Sequence, residues 1–488
     1  VNSSRFFTLR GGFSKATLTS LFILFAFGAC AKKPVEPGLV STTALGTVRS
    51  YHFSRVITHF HTPYSFDACD SNGLDGNLQP NLSCLHDIKY ALCANHINTT
   101  FVSDHVANLA TTDYNSLLLA EAGDTPVVNG GGTTIANQIN CADGFGAIMA
   151  PGLEGQLLAL GMESHVMGDV NTRSNVYGGN TPVEKNILET QANAFVAVPH
   201  TESRDDATLQ ALASANPAKP LGIEIYNIHA NLDPKIRKTS LGLPPFEDVA
   251  KFMNYLLDPF NDLNADYLFM EFLEFAPVYA IKWNKLLSAG NKVTGLGGCD
   301  SHENIFPQKG SDGERIDAHR RLTRFISNLV LTTGDDTNSL KASLMAGLVF
   351  FTVEGLGTPI GLDYHAESVN GGMTTITEMG DTLHTTGATS TSIVFHVPHV
   401  IESFPGMESD QKPEIRAELH FIASDSSETV VANSVGADSV LTYANPPAGN
   451  YRVNVFMIPH HLHDLIFEQE LSDSTFQWII SNNILVAP

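Results

Sequence analysis

From about residue 50 to 355 the chain alternates short apolar runs with longer amphipathic stretches, and this alternation restricts its fold more than any other feature. The runs at 56–59, 99–103, 194–198, 222–226 and 293–296 have the length and apolar content of buried strands. Helices are expected at 85–94, 207–215, 246–257, 265–289 and 337–348, with Asp205 and Asp206 suiting a helix start and Gly290 a helix end. Such alternation predicts an α/β domain with a mainly parallel sheet, open or closed into a barrel. After about residue 360 strand-like runs recur at 391–397, 417–423, 451–457 and 477–486, separated by Gly, Pro and Asn, which predicts a small β-sandwich. The 488 residues leave room for both, with the α/β part at 49–358 and the all-β part at 359–488.

Charge excludes one class of partner. The formal net charge is −23 and no basic run interrupts it, so a nucleic-acid partner is not expected. At the N-terminus Arg5, Arg10 and Lys15 precede an apolar run at 18–29, which is too short to span a bilayer comfortably, and Cys30 follows at once. The segment Ala26-Phe27-Gly28-Ala29-Cys30 resembles a bacterial lipoprotein signal. That resemblance implies a signal peptide at 1–29, a lipid on Cys30 that meets the membrane, and a tether at 30–48. Ala31, where an inner-membrane lipoprotein usually carries Asp, favours the outer membrane; the alternative is an uncleaved anchor helix, and either way the body is exported. Export permits disulfides. Cys69, Cys84, Cys93, Cys141 and Cys299 remain, an odd number, and Cys69 and Cys84 bracket a loop rich in Asn and Gly that a bridge would staple.

Metal-ligand side chains recur where the predicted strands end. His59 and His61 are two apart, so their side chains leave the same face of an extended chain. Asp104 and His105 follow the run at 99–103, and Glu154 precedes His165 by eleven residues. His200 closes the run at 194–198, and Asp300 and His302 follow the run at 293–296. In a barrel of parallel strands such ends converge on one face. Any one pair is weak, because 19 histidines in 488 residues give about 0.7 His-x-His pairs by chance, and His461-Leu462-His463 repeats the pattern in the β region. The ordered set carries the weight.

That set resembles the polymerase and histidinol phosphatase (PHP) family of metal-dependent phosphoesterases. The family's opening His-x-His-Thr-x-x-Ser is matched by His59-Phe60-His61-Thr62-Pro63-Tyr64-Ser65, and its Thr-Asp-His by Ser103-Asp104-His105. Its Gly-x-Glu and later His are matched by Gly152-Leu153-Glu154 and His165, its lone strand-end His by His200, and its closing Ser-Asp-x-His by Cys299-Asp300-Ser301-His302. The resemblance, spanning roughly 50–355, implies a distorted seven-stranded barrel of (β/α) type around a di- or trinuclear centre. The implied ligands are His59, His61, Asp67, His105, Glu154, His165, His200, Asp300 and His302, with Asp70 the alternative to Asp67 because Phe66 separates Asp67 from Ser65.

Six imidazoles and three carboxylates leave net positive charge once two or three dications are bound, which suits an anionic phosphoryl group; mixed nitrogen and oxygen ligation favours Zn, Mn or Fe. The nucleophile expected is a metal-activated hydroxide, with no protein nucleophile, and Arg204 is either a phosphate contact or a surface ion pair. Arg315, Arg320 and Arg321 are expected to be structural, and Glu224 to orient the site rather than bind metal. The leading expectation is therefore an exported phosphoesterase acting on a small phosphorylated substrate. The competing ones are a metal hydrolase of a non-phosphate substrate and a non-catalytic surface lipoprotein that keeps the fold.

Overall fold

The computed structural model describes residues 38–244, 265–310, 312–466 and 468–488. The expected signal peptide, Cys30 and the helix expected at 246–257 lie outside the described residues. The tether expected to run to residue 48 ends sooner. From residue 38 the chain is docked on the body, with Leu39 and Leu45 buried, Thr42 Oγ1 donating to Asn98 Oδ1 at 3.1 Å and the His96 ring 2.6 Å from Leu39 O.

The architecture is mixed α/β with several sheets. One six-stranded sheet runs Val293–Gly298, Leu221–Asn227, Phe195–Val198, Leu158–Leu160, Leu153–Glu154, Asp104–His105. The first three strands are parallel, and Leu158–Leu160 turns antiparallel against Phe195–Val198. A 14-stranded sheet holds Tyr51–Ile57 between Ile326–Thr332 and Thr99–Phe101. Among the described residues the pairings do not close into the expected seven-stranded ring: they fall into these two sheets, joined at one edge by the isolated parallel bridge Phe60–Ser301. The large sheet also crosses the boundary expected at residue 358, because Val349–Val353 pairs antiparallel with Phe476–Ser481. The remaining β region contains a four-stranded antiparallel sheet built on Asp363–Asn370 and Ser390–His396.

Most expected elements form. Helix Leu82–Ala94 starts on Asn81, whose side chain accepts from Ser83 N and Cys84 N, and Asp205 caps Asp206–Ser214 through Thr208 N. The single helix expected at 265–289 is two elements, the 3₁₀ segment Ala265–Phe272 and the α-helix Pro277–Ser288. Pro277 is the cause, since a ring nitrogen without a hydrogen can open a helix but not continue one. The run at 477–486 likewise divides into Phe476–Ser481 and Ile484–Ala487.

Strand Val293–Gly298 carries Asp300 and His302 just past its end, and side-chain amides satisfy its backbone where no neighbouring strand does. Asn482 Oδ1 accepts from Gly295 N at 2.7 Å while its Nδ2 donates to Gly295 O and Val349 O at 3.1 and 2.8 Å. Asn328 repeats the arrangement on Gly297, at 2.8 and 3.0 Å. Close approach also dictates glycine here: a Cβ on Gly297 would stand 2.1 Å from the Phe351 ring, and one on Gly298 2.1 Å from Glu224 Oε1.

Asn482→Ala would strand a buried peptide group of Gly295. A loss of about 2–4 kcal/mol in denaturant unfolding is expected, and a change under about 0.5 kcal/mol would show that the amide clamp carries no weight.

Candidate metal centre

The Phe60–Ser301 bridge builds the site by register. His61 N donates to Ser301 O at 3.1 Å and Asp300 N to His59 O at 2.8 Å, so the two histidines flanking Phe60 meet the Asp and His flanking Ser301. The His61 and His302 rings stack with centroids 3.7 Å apart. A second parallel pairing, Asp104 with Leu153 and His105 with Glu154, brings His105 and Glu154 side by side. Non-glycine backbones with positive φ turn two members inward, His200 at 48° and Asp300 at 52°.

Two carboxylates stand among the imidazoles. His59 Nε2 and His61 Nε2 are each 3.3 Å from Glu154 Oε2 and 3.2 Å from Asp300 Oδ1. These are not hydrogen bonds: His59 Nε2, His61 Nε2 and Asp300 Oδ1 are buried with no hydrogen-bond partner. Atoms bound to one tetrahedral ion through ~2.0 Å bonds stand ~3.3 Å apart, so these spacings fit a shared cation. His200 Nε2 adds itself at 3.3 Å from Glu154 Oε1 and 3.5 Å from Asp300 Oδ2. His61, His105 and His302 form a second group close enough to share an ion, and Glu154 Oε2 reaches it 3.3 Å from His105 Nδ1. Asp67 Oδ2 lies 3.3 Å from His105 Nε2 and 3.6 Å from His302 Nε2.

Neighbouring groups fix which ring nitrogen is free. His59 Nδ1 donates to Glu224 Oε1 at 2.5 Å, the carboxylate–histidine arrangement that leaves Nε2 with its lone pair. Ser65 Oγ donates to Asp104 Oδ1 at 3.1 Å, so it accepts from His61 Nδ1 at 2.7 Å and from His105 N at 3.1 Å. Asp104 also accepts from Thr62 N and Thr62 Oγ1, at 2.7 and 2.6 Å, and so shapes the turn rather than facing a cation.

Burial works against charge on His61, but Asp300 and Glu154 outweigh it and push its pKa up to about 9. Burial would raise Glu154 and Asp300, yet His59 and the other imidazoles hold both well below the usual carboxylate range. Positive charge is what the cluster lacks.

Eight of the nine expected ligands thus converge, in the two groups and Asp67 beside them. His165 does not join them: its Nε2 donates to Thr112 O and its Nδ1 accepts from Tyr177 Oη, both at 2.8 Å, which leaves no free lone pair. Of the Asp67–Asp70 alternative, Asp67 lies beside the imidazoles while Asp70 is paired with Arg315 at 2.9 Å. Arg320 and Arg321 pair with buried Asp266, as structural residues would. Arg204 donates to Gln156 Oε1, and Glu154 is the foremost of the carboxylates that attract it. Sequence reasoning missed His229, which shares a possible metal position with Asp300 and His302. It sits just past the end of Leu221–Asn227, the placement that marked the others.

No family model and no curated protein matches the sequence. Among solved structures the chain is similar to a two-domain protein from Bacteroides vulgatus ATCC 8482 containing a predicted PHP-like metal-dependent phosphoesterase. The identity is 10%, the TM-score 0.34, and the match covers 93% of this chain and 100% of that one. A likeness that loose says nothing about individual residues, and the reading of the site rests on its geometry.

Two outcomes are expected. His59→Ala should lose bound metal by elemental analysis while His165→Ala keeps it, and Glu224→Gln should weaken metal affinity about 10–100-fold; equal loss in His59→Ala and His165→Ala would refute the assignment. Metal-free His61 holds a proton below its raised pKa of about 9, and a cation needs the lone pair. Metal binding near pH 7 should therefore release protons, seen as a calorimetric enthalpy that varies with the buffer, and affinity should fall as pH falls.

Proposed function

We propose that this chain is an exported metal-dependent hydrolase of phosphate esters, with two or three ions of Zn, Mn or Fe held by the histidine cluster. The observation that carries the reading is the pair of buried, unpartnered imidazole nitrogens on His59 and His61 facing Glu154 and Asp300 at metal-sharing distances. Divalent ions held there supply Lewis acidity and an activated water. His59, His61, Glu154, Asp300 and His200 bind, His105, His302 and Asp67 hold the adjoining position, and Glu224 and Ser65 fix the rings. Arg204 supplies a cation for an anionic phosphoryl group.

Two disulfides, Cys69–Cys84 and Cys93–Cys141, support export, since such bridges persist in oxidising compartments. With it goes the lipid anchor at Cys30 and an outer-membrane location. In this reading residues 49–358 are a distorted seven-stranded barrel left open in its backbone pairing except for the Phe60–Ser301 bridge, and 359–488 a β-sandwich continuous with it through the pairing of Val349–Val353 with Phe476–Ser481.

The test is turnover of p-nitrophenyl phosphate and bis(p-nitrophenyl) phosphate by the chain without residues 1–30. Hydrolysis should vanish with a chelator, return with Mn, Zn or Fe, and fall at least about 100-fold in His61→Ala. Metal bound in full with no turnover of either ester would sink the phosphoesterase reading.

A further inference from the structure

Glu303, next in the chain to His302, belongs to a second cluster that the proposed chemistry does not use. Cys84 Sγ, a Glu303 carboxylate oxygen and a His319 ring nitrogen lie within 4.8 Å of one another, all three residues buried. His319 is 1% exposed, and its Nδ1 is held 2.8 Å from Ser301 Oγ. Its Nε2 has no hydrogen-bond partner and stands 4.0 Å from Glu303 Oε2. The other Glu303 oxygen accepts from His319 N at 3.2 Å. An unpartnered imidazole nitrogen in a buried place is unfavourable, and ligation would offset that. As the disulfide stands, Cys84 is bonded to Cys69 and its sulfur is a poor ligand.

We propose that Cys69, Cys84, Glu303 and His319 form a redox-gated site for a thiophilic dication such as Zn²⁺, open only when the Cys69–Cys84 bridge is reduced. A dithiol supplies two electrons and two protons, breaks the S–S bond to give two thiols and leaves as its own cyclic disulfide. The dication then displaces one proton from each thiol, and two thiolates, an imidazole and a carboxylate complete a four-ligand set. A tetrahedral site with ~2.3 Å Zn–S and ~2.0 Å Zn–N bonds needs sulfur and nitrogen ~3.5 Å apart, so the atoms of Cys84, Glu303 and His319, now within 4.8 Å of one another, must draw together as Cys69 and Cys84 part. Thiolates distinguish this site from the metal centre, whose candidate ligands are all nitrogen and oxygen. The two are also mechanically joined, because Cys69 N donates to His302 O and Asp70 N to Glu303 O, both at 2.9 Å. Filling the second site would therefore act on the backbone beside Asp67 and His302.

The experiment loads the oxidised chain and the anaerobically dithiol-reduced chain, freed of reductant, with Co²⁺. The reduced chain should take up an additional ion and develop a near-ultraviolet thiolate-to-cobalt charge-transfer band that the oxidised chain lacks. His319→Gln should lose both with its circular dichroism unchanged, which also separates this site from Cys93, Cys141 and Cys299; Glu303→Gln, read the same way, replaces it if that variant loses its fold. No band in the reduced chain, or the same band in the variant, overturns the proposal, and neither outcome bears on phosphatase turnover.

Discussion

The site depends on one buried carboxylate. Glu224 is fully buried, and it accepts from His59 Nδ1 through one oxygen and from His200 N through the other, at 2.5 and 2.7 Å. It thereby ties together the ends of three strands and sets the His59 tautomer. Asn227 Nδ2 lies 3.3 Å from Glu224 Oε2 and 3.1 Å from Asp300 Oδ2, which extends the tie to a fourth strand. The approach is so close that Gly298 can bear no side chain. A buried carboxylate is costly unless its oxygens are fully used, and these are.

The C-terminal region belongs to this support. Asn482, more than 180 residues beyond the strand it clamps, supplies the peptide partners that a barrel neighbour would otherwise give Gly295. Its position is held by the antiparallel pairing of Phe476–Ser481 with Val349–Val353. The residues after 359 therefore brace the strand that presents Asp300 and His302.

Much of the centre was legible because strand geometry is local. His59 and His61, or Asp300 and His302, share a face whenever the backbone is extended, so a short motif at a strand end already aims two ligands together. His105 was legible as the end of another such run, whereas Glu154 was legible only through the Gly152-Leu153-Glu154 match. His165 shows the limit: eleven residues of separation from Glu154 do not fix direction, and Tyr177 with Thr112 O claimed its ring. His229 carried no motif of its own, and only its place after Leu221–Asn227 could have marked it. The helix expected at 265–289 ignored a proline that the sequence plainly shows.

Sequence alone determined most of the side chains that gather in the cluster and that most of them stand at strand ends, because residue type and the two-residue period are properties of a short stretch. Tertiary structure decided the rest. It paired Asp70 with Arg315, 245 residues away, leaving Asp67 beside the imidazoles, and freed His59 Nε2 through Glu224, 165 residues away. It set His59 and His61 against Asp300 and His302 through one bridge between two sheets. A lone pair becomes a ligand only when its ring is turned and its other nitrogen occupied, and partners that distant are supplied by strand register, which no local pattern encodes.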